Sequence, residues 1–265
     1  MTAAEDIRSS GLVAEGITIS FGGRLAVDDL SLAAPVGAIT GLIGPNGAGK
    51  TTTFNACSGL LRPDQGRIRF LGKDITRASP ATRAQLGLGR TFQRMEICES
   101  MTARENVALG RESRNVGGNP LRHVFAGRAE HSAIGEATDA AIDLCGLGAF
   151  ADRPASSLAT GQRRLVELAR VVCAGFSLLL LDEPSSGLDD EETTRFGESL
   201  RAIVDQRGVG ILLVEHDMAL VMGVCAQISV LDFGKLIFEG SPGEVQHSPL
   251  VRAAYLGRAA EGMSA

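Results

Sequence analysis

The stretch GPNGAGKTT, Gly44 to Thr52, fits the pattern G-x-x-x-x-G-K-[ST] at every fixed position. Glycines there let backbone N–H groups curl around phosphate oxygens, and a helix starting at the lysine adds the positive end of its dipole. Gly44, Pro45, Asn46, Gly47, Ala48, Gly49, Lys50, Thr51 and Thr52 are therefore candidate phosphate-binding residues. Lys50 is expected to reach the β- and γ-phosphates as a point charge, and the Thr51 hydroxyl to ligate Mg²⁺. A second run, LLLLDEP, puts Asp182 and Glu183 at the end of an apolar segment, where open α/β sheets bind ligands. Asp182 is placed to hold Mg²⁺ through water, and Glu183 to polarise an attacking water. Together the two runs imply Mg²⁺-dependent hydrolysis of a nucleoside triphosphate.

Such a site needs strands that end in loops. Residues 12–43 read as strands, with LVAEGITISF partly alternating and GAITGLIG a short apolar run. A helix follows Lys50, then a strand at GRIRFLG, and Ser79-Pro80 is a helix start with serine as cap. From about Met101 to Ala174 the pattern turns helical, in TARENVAL and in SAIGEATDAAIDLCGLG, with a glycine stop. The intervening RESRNVGGNPLRHVFAGRAEH reads as a loop with one helical turn. Strand and helix then alternate again: SLLLLDEP, DDEETTRFGESLRAIVDQRG, VGILLVEH, and AQISVLDFGKLIFEG as a strand pair. The expected architecture is an α/β core with a helical subdomain inserted in the middle.

The chain has 265 residues, 44% of them hydrophobic, enough for one large domain or two small ones. Its net charge of −5 gives no general attraction to nucleic acid or anionic lipid. Five scattered cysteines, Cys57, Cys98, Cys145, Cys173 and Cys225, include no Cys-x-x-Cys pair and read as small core residues in a reducing compartment. The start shows no secretory signal, and the apolar run Val171–Leu181 is too short to cross a bilayer. Any link to a membrane is expected to run through a partner.

A second glycine-bearing helix start, LATGQ at Leu158–Gln162, resembles the L-S-G-G-Q signature of ATP-binding cassette (ABC) ATPases. Other motifs follow in that family's order. Gln93 in GRTFQR resembles its glutamine loop, Asp189 in SSGLDD the acidic position of its D-loop, and His216 in VEHDM its switch histidine. Phe21 in TISFGG resembles the aromatic residue that stacks on adenine, although core packing would suit it too. The resemblance spans about Gly11 to Gly257. It implies a P-loop NTPase fold of the ABC-ATPase type: a mixed-sheet core, an antiparallel N-terminal β subdomain and an inserted helical subdomain at about 95–175. Residues 11–257 would form one nucleotide-binding domain, flanked by tails at 1–10 and 258–265.

By the same resemblance the cofactors are ATP and Mg²⁺. Glu183, His216, Gln93 and Lys50 would act in catalysis. Thr51, Gln93 and Asp182 would serve the metal. The signature residues Ala159, Thr160, Gly161 and Gln162, with Asp189, would cap the γ-phosphate held by a second cassette, identical or homologous. Ala159 stands where the family usually has serine and Thr160 where it has glycine, so backbone amides are expected to carry that contact. Leu165, Leu168, Ala169 and Val172 mark the buried face of the signature helix, leaving Arg163, Arg164, Glu167 and Arg170 to solvent. Met95, Ile97 and Met101 suit either a groove for a membrane subunit's helix or the core of the helical subdomain. Tyr255, the one tyrosine, is read as remote from the nucleotide site.

GRTFQR, VEHDMALVMG and the ending GSPGEVQHSPLVRAAYLG are similar to the ATP-binding subunits of branched-chain and hydrophobic amino acid importers. That branch implies transmembrane permease subunits, indirectly a substrate-binding protein, no nucleic acid, and a place on the cytoplasmic face of the membrane. Urea, amide or aromatic acid uptake and lipopolysaccharide export are the alternatives within transport. Non-transport ABC ATPases carry two cassettes in one chain or a long coiled coil, and neither pattern is present here.

Overall fold

Two sheets share the β-structure of this computed structural model, which describes residues 11–91, 97–115 and 128–261. The first is antiparallel, in the order β2-β1-β4-β5, from β1 (Gly11–Phe21), β2 (Arg24–Pro35), β4 (Gln65–Phe70) and β5 (Lys73–Asp74). The second has six strands in the order β10-β9-β3-β8-β7-β6. Its members are β3 (Ile39–Ile43), β6 (Leu88–Arg90), β7 (Leu178–Asp182), β8 (Gly210–Val214), β9 (Gln227–Asp232) and β10 (Lys235–Gly240). All its pairings are parallel except β9–β10, which makes it mixed.

Alternation along the central strands explains the layering. Leu178, Leu180, Leu212, Val214 and Leu42 face one cluster, with Phe54, Cys57 and the inner face of the antiparallel sheet. Leu179, Leu181, Ile211, Leu213, Ile39 and Ile43 face the other, with the helices. A strand buried on both faces needs an unbroken apolar run, and LLLLD and GILLV supply one each, every residue buried. Helix α1 (Lys50–Ser58) contributes Phe54 and Cys57 to the first layer. Helices α3 (Ala103–Asn115), α4 (Arg128–Leu144) and α5 (Thr160–Cys173) pack on one another between β6 and β7 in the chain, the expected helical insertion. Helix α2 (Pro80–Leu86) starts as foreseen, with Ser79 capping through Thr82 N–H and Pro80 in the first turn. Helices α6 (Asp190–Arg207), α7 (Met218–Val224), α8 (Pro242–His247) and α9 (Pro249–Glu261) complete the chain.

Three expectations fail. The segment read as a loop begins and ends in helix: residues 111–115 extend α3 and residues 128–131 open α4. Cys98 is exposed, not core, whereas the other four cysteines are buried. In α5, Leu168 and Ala169 are buried and Leu165 and Val172 partly so, but Arg164 and Glu167 are not solvated. Their side chains keep only 11% and 8% exposure and form an ion pair at 3.2 Å. Arg164 Nη2 also donates to Ser186 O at 3.5 Å, and Gly161 one turn earlier faces Glu192 of α6, so the chain after β7 covers a side of α5 that α3 and α4 do not.

Candidate functional site

Strand β3 ends at Ile43, and the chain turns through Gly44–Gly49 into α1. Gly49 caps that helix at φ 101°, and a Cβ there would stand 2.6 Å from the Ala26 carbonyl oxygen, so only glycine fits. The loop is braced from behind. Ala48 N–H donates to Pro45 O at 3.1 Å, Gly234 N–H to Ala48 O at 3.0 Å, and Asp28 N–H to Gly234 O at 2.9 Å. Lys50 is buried, and its Nζ donates to Gly44 O at 2.6 Å and Pro45 O at 3.1 Å, so the loop's own carbonyls hold the ammonium in the cradle. Thr51, exposed, and Thr52, half-buried, occupy the first turn of α1. Tyr255 is not remote from this loop. Burial pushes its pKa up, and the neighbouring Gly44 backbone opposes that.

Asp182 closes β7 directly beside Val214, the last residue of β8, and is buried. Arg90, at the end of β6, feels its charge. Burial lowers the guanidinium's pKa and Asp182 opposes that. Arg90 also donates from Nη1 to Asn55 Oδ1 at 2.9 Å and Ser58 Oγ at 2.7 Å, and lies over the Phe54 ring at 4.7 Å. It thereby ties the root of the glutamine-loop segment to the phosphate-loop helix. Gln93 and Met95 lie outside the described residues. Ile97 is partly buried against the core beside α3.

Glu183 leaves the strand at φ 48°, a left-handed conformation that costs a non-glycine residue about 1–3 kcal/mol. Its N–H donates to Val214 O at 2.8 Å, and its half-exposed carboxylate Oε1 lies 3.9 Å from His216 Nδ1. His216 lies two residues past the end of β8, with an exposed ring. Between the two runs sits Glu215, wholly buried. It accepts from Ser185 N–H at 2.8 Å, Ser185 Oγ–H at 2.7 Å and His216 N–H at 3.1 Å. Sequence reasoning passed over this acid. The signal available was a carboxylate beside a histidine just past the end of an apolar strand.

At α5 the cap residue Ala159 offers no side-chain acceptor, and Gln162 Oε1 turns back to accept from Ala159 N–H at 3.1 Å. Gly161 abuts α6: a Cβ there would meet Glu192 Oε1 at 2.4 Å. Glu192 in turn forms a capping box with Asp189, its N–H donating to Asp189 Oδ1 at 2.8 Å and its Oε2 accepting from Asp189 N–H at 3.2 Å. Thr160 lies 3.9 Å from the position a Cβ would take on Gly187. Arg164 Nη2 of α5 donates to Ser186 O at 3.5 Å, so this helix also reaches the segment 185–189. Phe21 is 52% exposed at the end of β1, which removes it from the core.

These strand ends place a glycine-rich loop, a lysine, a buried aspartate, a half-exposed glutamate and a histidine together, a set suited to binding a nucleotide's phosphates and activating water. Comparison with known proteins agrees. A family described as "ABC transporter" matches residues 27–186, and one described as "Branched-chain amino acid ATP-binding cassette transporter" matches residues 235–261. The high-affinity branched-chain amino acid transport ATP-binding protein BraF of Pseudomonas aeruginosa is 37% identical, over 94% of this chain and 98% of its own. The lipopolysaccharide export system ATP-binding protein LptB of Acidithiobacillus ferridurans is 36% identical, over 93% and 96%. Among solved structures, the ADP conformation of an ATP-binding cassette of an ABC transporter superposes with a TM-score of 0.80 at 30% identity, covering 93% of this chain and 98% of that one.

Proposed function

Since this chain belongs to the ABC transporter family of ATP-binding cassettes, we propose that it is the ATP-hydrolysing subunit of an importer for branched-chain or other hydrophobic amino acids. One observation carries the hydrolytic half of this reading. The ends of β3, β7 and β8 bring Lys50, Asp182, Glu183 and His216 to one edge of the sheet. The match at residues 235–261, in the C-terminal strand and helices, favours the amino acid branch.

In this reading Gly44–Thr52 cradle the triphosphate through backbone N–H groups, and Lys50 leaves its loop carbonyls for the β- and γ-phosphates. Phe21 stacks on adenine, a contact that its exposed ring allows and that is worth about 1–3 kcal/mol. Thr51 and Asp182 offer the hard oxygen ligands that Mg²⁺ prefers, and Gln93 joins them. Thr51, Asp182 and Gln93 would hold the ion, whose positive charge would offset that of the phosphates. Glu183 orients and deprotonates the attacking water, and His216 stabilises charge developing on the γ-phosphate. Ala159–Gln162 and Asp189 face the nucleotide of a second cassette, identical or homologous, so each pocket is shared between two chains.

Among the described residues no helix is long and apolar enough to cross a membrane. Attachment at the cytoplasmic face is then made through permease subunits, with a substrate-binding protein delivering cargo and no role for nucleic acid. Glu183→Gln tests the chemistry: it should bind ATP, collect as an ATP-bound dimer in size-exclusion chromatography, and turn over poorly. Brisk steady-state turnover by that variant removes Glu183 from its role. Radiolabelled leucine uptake in cells deleted for the chain tests the branch. Uptake should return with the wild-type gene and not with Glu183→Gln. Unaltered uptake in the deletion strain, with a defect in lipopolysaccharide export instead, would favour the second reading, which the 36% identity to LptB supports.

A further inference from the structure

The buried carboxylate of Glu215 lies outside every role assigned above, yet it holds both halves of the hydrolytic edge. We propose that Glu215 is a positioning residue that fixes the switch histidine against the Glu183 turn, an inference that rests on the reading of Glu183 and His216 just given. One oxygen, Oε1, takes both donors of Ser185, two residues after Glu183. The other, Oε2, takes the N–H of His216 at 3.1 Å and lies 3.9 Å from that residue's Nδ1. The His216 ring is thereby equidistant, at 3.9 Å, from the Glu215 and Glu183 carboxylates. With no solvent exposure, Glu215 cannot exchange these donors for water.

Ser185 opens the segment that runs to Asp189, and within it Ser186 O accepts from Arg164 Nη2 of α5 at 3.5 Å. A shift of that segment therefore reaches the His216 backbone through a single side chain. The acceptor pattern demands a carboxylate. A glutamine at 215 can accept both Ser185 donors with its carbonyl oxygen, but its amide N–H₂ then meets the His216 N–H donor to donor. Rotated the other way, it serves His216 and confronts Ser185 instead.

The test is a double-mutant cycle on the full chain, measuring steady-state ATP turnover and, separately, ATP affinity. Glu215→Gln should lower kcat roughly tenfold or more while ATP affinity stays within about threefold, because the donors Glu215 accepts belong to Ser185 and His216. Ser185→Ala, which removes one donor of three, should lower kcat less. In a His216→Ala background, Glu215→Gln should add no further loss. Wild-type kcat for Glu215→Gln, or an undiminished further loss on top of His216→Ala, overturns the inference and leaves His216 in place. Wild-type kcat for His216→Ala overturns the reading of the histidine and this inference with it. If Glu215→Gln fails to fold, Ser185→Ala in the same cycle decides: additivity with His216→Ala refutes the coupling.

Discussion

Arg83 offers the sharpest energetic test of how the phosphate-loop helix is anchored. Its guanidinium, 1% exposed, donates to the last-turn carbonyls of α1, Ala56 O at 2.6 Å and Cys57 O at 2.7 Å. It also donates to Ile75 O at 2.7 Å and Ala78 O at 3.1 Å. The group bridges the C-terminal end of α1 to the loop entering α2, and the negative end of the helix dipole faces its charge. Burial depresses its pKa. Arg83→Met keeps much of the volume and removes every donor. Hydrogen bonds to a charged group are worth about 1.5–3 kcal/mol each, but the variant also escapes the cost of desolvating the guanidinium. The carbonyls left without a donor cost about 1–3 kcal/mol each, so a net loss of about 3–5 kcal/mol is expected. For a domain of this size that lowers Tm by roughly 6–20 °C. Arg83→Lys retains the charge but lacks the flat fork, and should fall between the two. Differential scanning calorimetry of the three proteins is the assay. A midpoint for Arg83→Met indistinguishable from wild type would refute the anchoring argument.

Two further outcomes are expected. Burial pushes the thiols of Cys57, Cys145 and Cys225 up to about 12, and that of Cys173 up as well. A chromogenic disulfide reagent at pH 8 should then titrate only Cys98 in the native protein and all five thiols in denaturant. Prompt labelling of a second native thiol would contradict the packing. Ala159→Ser supplies the missing side-chain cap of α5 and should stabilise the protein by about 1 kcal/mol. Its ATPase rate should change by less than about tenfold, and a larger rise would mean that a γ-phosphate hydroxyl is worth its usual 1.5–3 kcal/mol at this half-site.

The phosphate loop and the strand ends were legible because their signals are local: a glycine pattern, an apolar run, an acid at its end. The layers followed from alternation, since Leu178–Leu181 divide between two cores by parity alone. Contacts across the fold carried no such signal. Arg164 and Glu167 look like a solvated i, i+3 pair until the segment around Ser186, which Arg164 reaches at 3.5 Å, comes against the helix. Arg83 reads as a surface arginine on α2, and nothing near it in sequence announces the carbonyls of α1. Glu215 meets Ser185 thirty residues away, so its part in the site emerges only when β7 and β8 lie side by side. Cys98 fails for the opposite reason, since composition favours burial for cysteine and only the chain path decides.

Strand β3, which delivers the phosphate loop, has β8 and β9 as its two neighbours, and the loop leans on Leu231, Gly234 and Tyr255. Both strands that pair with β3 are therefore made long after β3 itself. At translation rates of about 5–20 residues per second, Ile43 waits roughly 10–40 s for Gln227 to be synthesised. A nascent chain on the ribosome has no finished ATP pocket during that interval, and the capacity to bind nucleotide arrives late and all at once, with the closing strands.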